Sequence, residues 1–165
     1  MQAEARSRQL ESVAAHPVSE LLDCPPDIGG LLAASAQTMS FDAGDTIFRQ
    51  SAECAGLYLV VQGQLMRRTE RQETRILLGT ARPGDLVELA ATLGDGHHTY
   101  TLVAQSPGSL LLLAMHPLKL AFEGHPPLRM RLLEELAREV SRAYHTCSLS
   151  GRGRRRRVAA VPSAG

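Results

Sequence analysis

The chain has 165 residues, 44% of them hydrophobic and 21% charged, with a formal net charge of +1. That length suits one domain with a real hydrophobic core, and the near-zero balance excludes a global field that would recruit nucleic acid. With no Trp, three Phe and three Tyr, the core has to be built mainly from Leu, Val, Ile and Ala.

The first residues, to about 15, are polar and Ala-rich and read as a frayed helix or a disordered lead. They lack the apolar stretch of a signal peptide. Val18 to Leu22, followed by Cys24-Pro25-Pro26, predicts a short helix stopped by the proline pair. Asp27 is a candidate cap for a second helix carrying Ile28, Leu31 and Leu32 on one face. From Met39 the period becomes strand-like. Thr46-Ile47-Phe48-Arg49 follows an Ala43-Gly44-Asp45 turn, and Leu57 to Val61 is closed by Gln62-Gly63. Leu65 to Arg68 and Arg75 to Gly79 flank a polar stretch, Thr69 to Thr74, that reads as a solvated hairpin tip. The turn Arg82-Pro83-Gly84-Asp85 opens the segment around Glu88, and Gly94-Asp95-Gly96 marks a loop. Tyr100 to Ala104 and Leu110 to Ala114 are the last strands.

Beyond His116-Pro117 the period returns to helical. Leu118 to Phe122 predicts a short helix, and His125-Pro126-Pro127 starts a long one, since proline is favoured in a first helical turn. Leu133, Leu136, Ala137, Val140 and Tyr144 form a coiled-coil-like seam of two heptads, read as a homodimer interface. The competing reading is a helix stripe that packs only on its own domain. The end of the chain concentrates Arg152, Arg154, Arg155, Arg156 and Arg157 and reads as disordered. The organisation expected is therefore a lead (1–27), one domain (28–147, strands about 39–116, long helix about 126–147) and a basic tail (148–165). The fold class is mainly β with flanking helices: an antiparallel β-barrel of jelly-roll type followed by a long C-terminal helix.

At this point the residues resemble a known family. Gly44-Asp45-x-Ile47-Phe48-x-x-Ser51, Leu57-Tyr58-x-Val60-x-x-Gly63 and Pro83-Gly84-Asp85-x-x-Glu88-Leu89-Ala90 look like the cyclic-nucleotide-binding superfamily. The likeness is strongest to the sensor domain of Crp/Fnr-type bacterial transcription regulators and covers roughly residues 28 to 146. It implies regulation of transcription through a small effector, a homodimer, and a cytoplasmic protein. In that family a Gly-Glu pair and, after a loop, an Arg-Ala pair hold the nucleotide: the carboxylate takes a ribose hydroxyl, the guanidinium and backbone amides take the phosphate. Here Glu88 falls on the Glu position, Val87 replaces the Gly, and His98 stands where the Arg would be. No Arg or Lys lies between Pro83 and Leu118. A buried cyclic phosphate would lack its countercharge, so the resemblance implies a degenerate cassette without tight cyclic AMP binding. The ligand-pocket candidates are Val87, Glu88, Leu89, Ala90, His98, Thr99 and Thr101. Glu88 reads either as a ligand carboxylate or as a relic bonded to backbone or a Thr.

Other chemistry is expected to be absent. Adjacent His97 and His98 point to opposite faces of a strand, and only Asp95 lies beside them in sequence, so no metal site is expected and the pair reads as a polar loop. Three scattered cysteines exclude a four-cysteine iron–sulfur site. Cys147 is either an intersubunit bridge or a small apolar filler. No nucleophile has a base in context, so the chain is not read as an enzyme and no cofactor is expected. The longest apolar run, Leu110 to Met115, is too short to span a membrane. The chain ends about where the family's helix-turn-helix domain begins, as a lone sensor domain or a truncated regulator. Two alternatives stand beside the sensor reading: a ligand-free interaction module, or a weak DNA binder acting through the Arg-rich tail.

Overall fold

The computed structural model describes residues 18–71 and 74–155, with the backbone alone for 70–71, 74–76 and 146–155. A helix α1 (residues 18–22) leads into α2 (Pro26–Ala34). The strands β1 (Gln37–Phe41), β2 (Thr46–Phe48), β3 (Gly56–Gln62), β4 (Leu65–Arg71), β5 (Thr74–Ala81) and β6 (Leu86–Val87) follow. A short helix α3 (Leu89–Leu93) precedes β7 (Thr101–Ala104) and β8 (Gly108–Ala114), and the chain ends in α4 (Met115–Gly124) and α5 (Pro126–Arg155). The strands form two four-stranded sheets, ordered β1-β8-β3-β6 and β2-β7-β4-β5, and all pairings are antiparallel. This is the jelly-roll arrangement expected, but as two facing sheets rather than one closed barrel.

Strand alternation explains why the run Leu110-Leu111-Leu112-Leu113 is apolar throughout. Alternate residues point to opposite faces, and both faces of this sheet are covered. Leu110 and Leu112 join Tyr58, Val60, Leu65, Val87 and Leu102 between the sheets. Leu113 and Leu57 face outward, beneath a layer of helices contributed by Leu22, Leu32, Leu118, Leu128 and Leu132. The first part of α5 is thus fixed to the outer face of the first sheet.

Several local expectations are corrected. Pro25 rather than Asp27 caps α2, with Pro26 at the first helical position and no side-chain cap bond, the arrangement proline's missing N–H favours. The stretch Thr69 to Thr74 is largely strand, because β4 and β5 pair as far as Arg71↔Thr74; the tip itself lies outside the described residues. Helix α3 has no counterpart in the sequence reading, since a five-residue element shows too little periodicity. The long helix runs on through Arg155, past the expected end near 147. Proline, the residue that would stop it, does not recur until Pro162. Arg152, Arg154 and Arg155 therefore sit on helical backbone, while Arg156, Arg157 and the N-terminal lead to residue 17 lie outside the described residues.

Gly56 shows how tightly β3 and β8 approach. A Cβ there would overlap the Leu113 carbonyl, whereas at Gly44 (φ +93°) a Cβ would meet nothing. Gly56→Ala is expected to destabilise by about 3 kcal/mol or more, against about 1 kcal/mol for Gly44→Ala. Urea unfolding midpoints at constant slope read the difference; equal losses would contradict the close approach.

Candidate functional site

The site is built where β6 ends. Val87 pairs with Tyr58 across the sheet and is fully buried. The next residue, Glu88, turns into the left-handed region (φ 71°, ψ 35°) and starts α3, its carbonyl accepting from the Thr92 N–H at 2.9 Å. A side-chain-bearing residue there costs roughly 1 kcal/mol, so the surroundings must hold it. They do so through both ends of the residue. The Glu88 N–H donates to the Tyr100 hydroxyl at 3.2 Å. The carboxylate accepts from the Thr99 N–H at 3.2 Å and from the Thr99 hydroxyl at 3.0 Å. His98 Nδ1 lies 2.9 Å from Glu88 Oε2.

Glu88 is 2% exposed and His98 3%. The His98 ring stacks face to face on Phe48, with centroids 3.7 Å apart and planes 2° apart. Tyr58 and Tyr100 tilt against the same Phe48. Burial, with smaller contributions from Cys54 and Glu88, pushes the Tyr58 hydroxyl up to about 12. Burial likewise raises Tyr100, with Arg67 partly opposing. Cys54, buried beside this group, has its thiol pushed up by burial and donates to the Gly56 carbonyl at 3.1 Å. Thr92 donates to that same carbonyl at 3.2 Å.

Above Glu88 lies a cavity of about 1070 Å³ between the sandwich and α5. Of the sequence candidates, Glu88, Leu89, Ala90 and Thr99 line it. Val87 instead joins the core between the sheets. Thr101 is 5% exposed and accepts from the Gln50 N–H at 3.0 Å. His98 lies under Glu88, buried against Phe48. The expectation of a polar loop pair therefore fails for His98, whose hydrophobic partners come from distant strands. His97 does stay outside, its ring nitrogen 3.1 Å from the Asp95 carbonyl. The expectation that His98 has no metal-type partner also fails: Glu88 and Cys54 stand beside it with ligand atoms within 4.8 Å of one another.

The premise of a cleft without cations is likewise corrected. Arg67 of β4 lines the cavity, as do Arg131, Arg138 and Arg142 of α5. Strand parity carried the missed signal, because Arg67 follows the fully buried Leu65 by two residues and so faces the same way. Arg67 lies 3.4 Å from Glu139 and 5.9 Å from the Tyr100 ring centroid. Burial raises the Glu139 carboxyl while Arg67 opposes it. Arg131 pairs with Asp23 at 2.6 Å, and Arg138 with Glu135 at 2.7 Å.

On the expected seam of α5, Val140 and Tyr144 are 60% and 71% exposed, and Ala137 is exposed. Leu133 is half-buried, Leu136 turns inward to the helical layer, and Leu136 and Val140 both line the cavity, Val140 at its open side. The side chain of Cys147 lies outside the described residues. Among the described residues no helix is long and apolar enough to cross a membrane.

A family model described as the cyclic nucleotide-binding domain matches residues 38–123. No curated protein matches the chain. Among solved structures, the catabolite activator protein of Thermus thermophilus is 25% identical with a TM-score of 0.65, over 77% of this chain and 60% of that one. The sensor domain of the transcriptional regulator DNR from Pseudomonas aeruginosa is 20% identical with a TM-score of 0.66, over 88% and 95% of the two chains. The regulatory domain of Toxoplasma gondii PKA, solved with cAMP, is 18% identical with a TM-score of 0.66, over 84% and 52%. The last two likenesses speak for the fold alone.

Proposed function

The chain belongs to the cyclic nucleotide-binding domain family, and from that premise we propose that it is a regulatory sensor domain whose nucleotide cassette is closed on itself. One observation carries the reading. The Glu88 carboxylate, the group that would take a sugar hydroxyl, receives its hydrogen bonds from Thr99 and His98. A nucleotide would have to displace donors that already satisfy a buried charge, and an unsatisfied one costs about 1–3 kcal/mol. The phosphate would fare no better. His98, at the position of the family's Arg, is buried against Phe48 and spent on Glu88. Arg67, Arg131 and Arg138 line the cavity with carboxylates beside them, and with Asp85, Glu135 and Glu139 in the same lining a phosphate there would meet acidic as well as basic groups.

The cavity remains available to a different effector, one that exchanges the Arg67–Glu139 pair for its own contacts and so shifts α5 relative to the sandwich. The exposed stripe Ala137, Val140 and Tyr144 is the surface on which α5 would meet a second copy of the chain, turning that shift into a change across a dimer. Regulation of transcription would then run through a partner or an attached output domain.

Cyclic AMP and cyclic GMP are expected to leave the melting temperature unchanged. A micromolar site at about 100-fold excess ligand would instead add about 2.7 kcal/mol, a rise of about 5–10 °C for a chain this long, and such a rise would overturn the closed-cassette reading. Replacing Val140 and Tyr144 together by Glu is expected to convert a dimer into a monomer in sedimentation velocity with an unchanged far-UV spectrum. A wild-type chain that sediments as a monomer at high micromolar concentration would contradict the α5 interface.

A further inference from the structure

Three side chains with metal-ligand chemistry converge in the core from separate parts of the chain. Cys54 comes from the turn before β3, Glu88 from the end of β6, and His98 from the segment before β7. All three are buried, and one sulfur, one carboxylate oxygen and one ring nitrogen lie within 4.8 Å of one another. We propose that Cys54, Glu88 and His98 form a binding site for a single divalent transition-metal ion of the zinc type, seated beneath the floor of the cavity.

The donor set selects the metal. A thiolate disfavours the hard ions magnesium and calcium, while sulfur, imidazole and carboxylate together are the ligands of zinc. Bond lengths of about 2.0–2.3 Å in a tetrahedron place ligand atoms about 3.3–3.7 Å apart. His98 Nδ1 and Glu88 Oε2 now stand 2.9 Å apart, and the sulfur lies within the 4.8 Å limit. Side-chain rotations of about 1 Å therefore suffice. The outer contacts already orient the ligands, as metal sites require. Phe48 fixes the plane of the imidazole by stacking. The Thr99 hydroxyl holds Glu88 Oε1, and the Thr99 N–H holds Oε2 at 3.2 Å on the side where it faces His98. The Gly56 carbonyl accepts from the Cys54 thiol and from the Thr92 hydroxyl, and so fixes the position of the sulfur.

Charge favours the same ion. Burial penalises net charge heavily, and a divalent cation with one thiolate, one carboxylate and a neutral imidazole sums to zero. Binding is a proton exchange without redox: the Cys54 S–H bond breaks, its electron pair forms the metal–sulfur bond and the proton leaves to solvent, while the proton that His98 Nδ1 shares with Glu88 moves to Nε2 and frees the Nδ1 lone pair for the metal. The metal competes with the thiol proton for the sulfur, as at any thiolate site, so uptake weakens as pH falls. The site does not depend on what fills the cavity.

The test uses the full chain with Cys24→Ser and Cys147→Ser, which leaves Cys54 as its one thiol, stripped with chelator and reloaded with Co²⁺ or Zn²⁺ alone. One ion per chain is expected. Co²⁺ should give a near-ultraviolet thiolate-to-metal band that Zn²⁺ abolishes, and excess Zn²⁺ should raise the melting temperature. No band, or sub-stoichiometric metal, overturns the site without recourse to any ligand variant. His98→Gln, whose metal-free unfolding midpoint is measured in parallel, should lose more than the about 10–100-fold in affinity that outer-sphere partners are worth. A folded His98→Gln chain that binds as tightly as its parent also overturns the proposal.

Discussion

A carboxylate sealed inside a protein has to be satisfied where it stands, and the centre of this molecule is organised around that requirement. Glu88 ends the edge strand of one sheet, while His98 and Thr99 lie just ahead of β7 in the other. The hydrogen bonds between them therefore stitch the two sheets together at one end of the sandwich. The left-handed backbone of Glu88 is what aims the carboxylate inward, and the strain is offset by the bonds it makes at both ends. Phe48, Tyr58 and Tyr100 close round the group and exclude water, which raises the cost of any donor left unpaired.

That inner knot bears on the outer helix. Helix α3 starts at Glu88 and packs against α5, and Arg67, lying over Tyr100, reaches Glu139 of α5. Among the described residues the long helix is held by a hydrophobic seam at Leu128 and Leu132 with Leu136 beside it, by its packing on α3, and by polar links that include Arg67–Glu139 and Arg131–Asp23. The hydrophobic seam is fixed by burial. The Arg67–Glu139 link is partly exposed and is worth little on its own, so it is the natural place for an effector to intervene.

Most of the framework was legible in the residues. Glycine turns and alternating apolar runs located β2, β3, β7 and β8, because those strands are buried on at least one face and obey the period of two. The position of Glu88 followed from the Pro83-Gly84-Asp85 turn, and its bonding to a Thr was one of the two roles foreseen. What the sequence did not reveal was long-range. His98, a pocket candidate with Glu88, also reads with His97 as a polar loop pair, because its further neighbours Cys54 and Phe48 are more than forty positions away. Arg67 lies outside the segment between Pro83 and Leu118 that the family pattern covers, and only its parity with Leu65 places it on the inner face. Helix α3 was too short to leave a periodic trace, and Leu136 was assigned to the outer seam because two heptads leave the facing of α5 underdetermined.

The claim on which the whole account turns is that Glu88 is held from within, by Thr99 and His98, rather than left open for a nucleotide. A double-mutant cycle between Glu88→Gln and Thr99→Ala, measured by urea unfolding in the presence of chelator, tests it most directly. The account predicts a coupling of about 1–3 kcal/mol between the two positions. Losses that add to within about 0.3–0.5 kcal/mol would mean that the two residues do not share a bond, and the closed site would have to be given up.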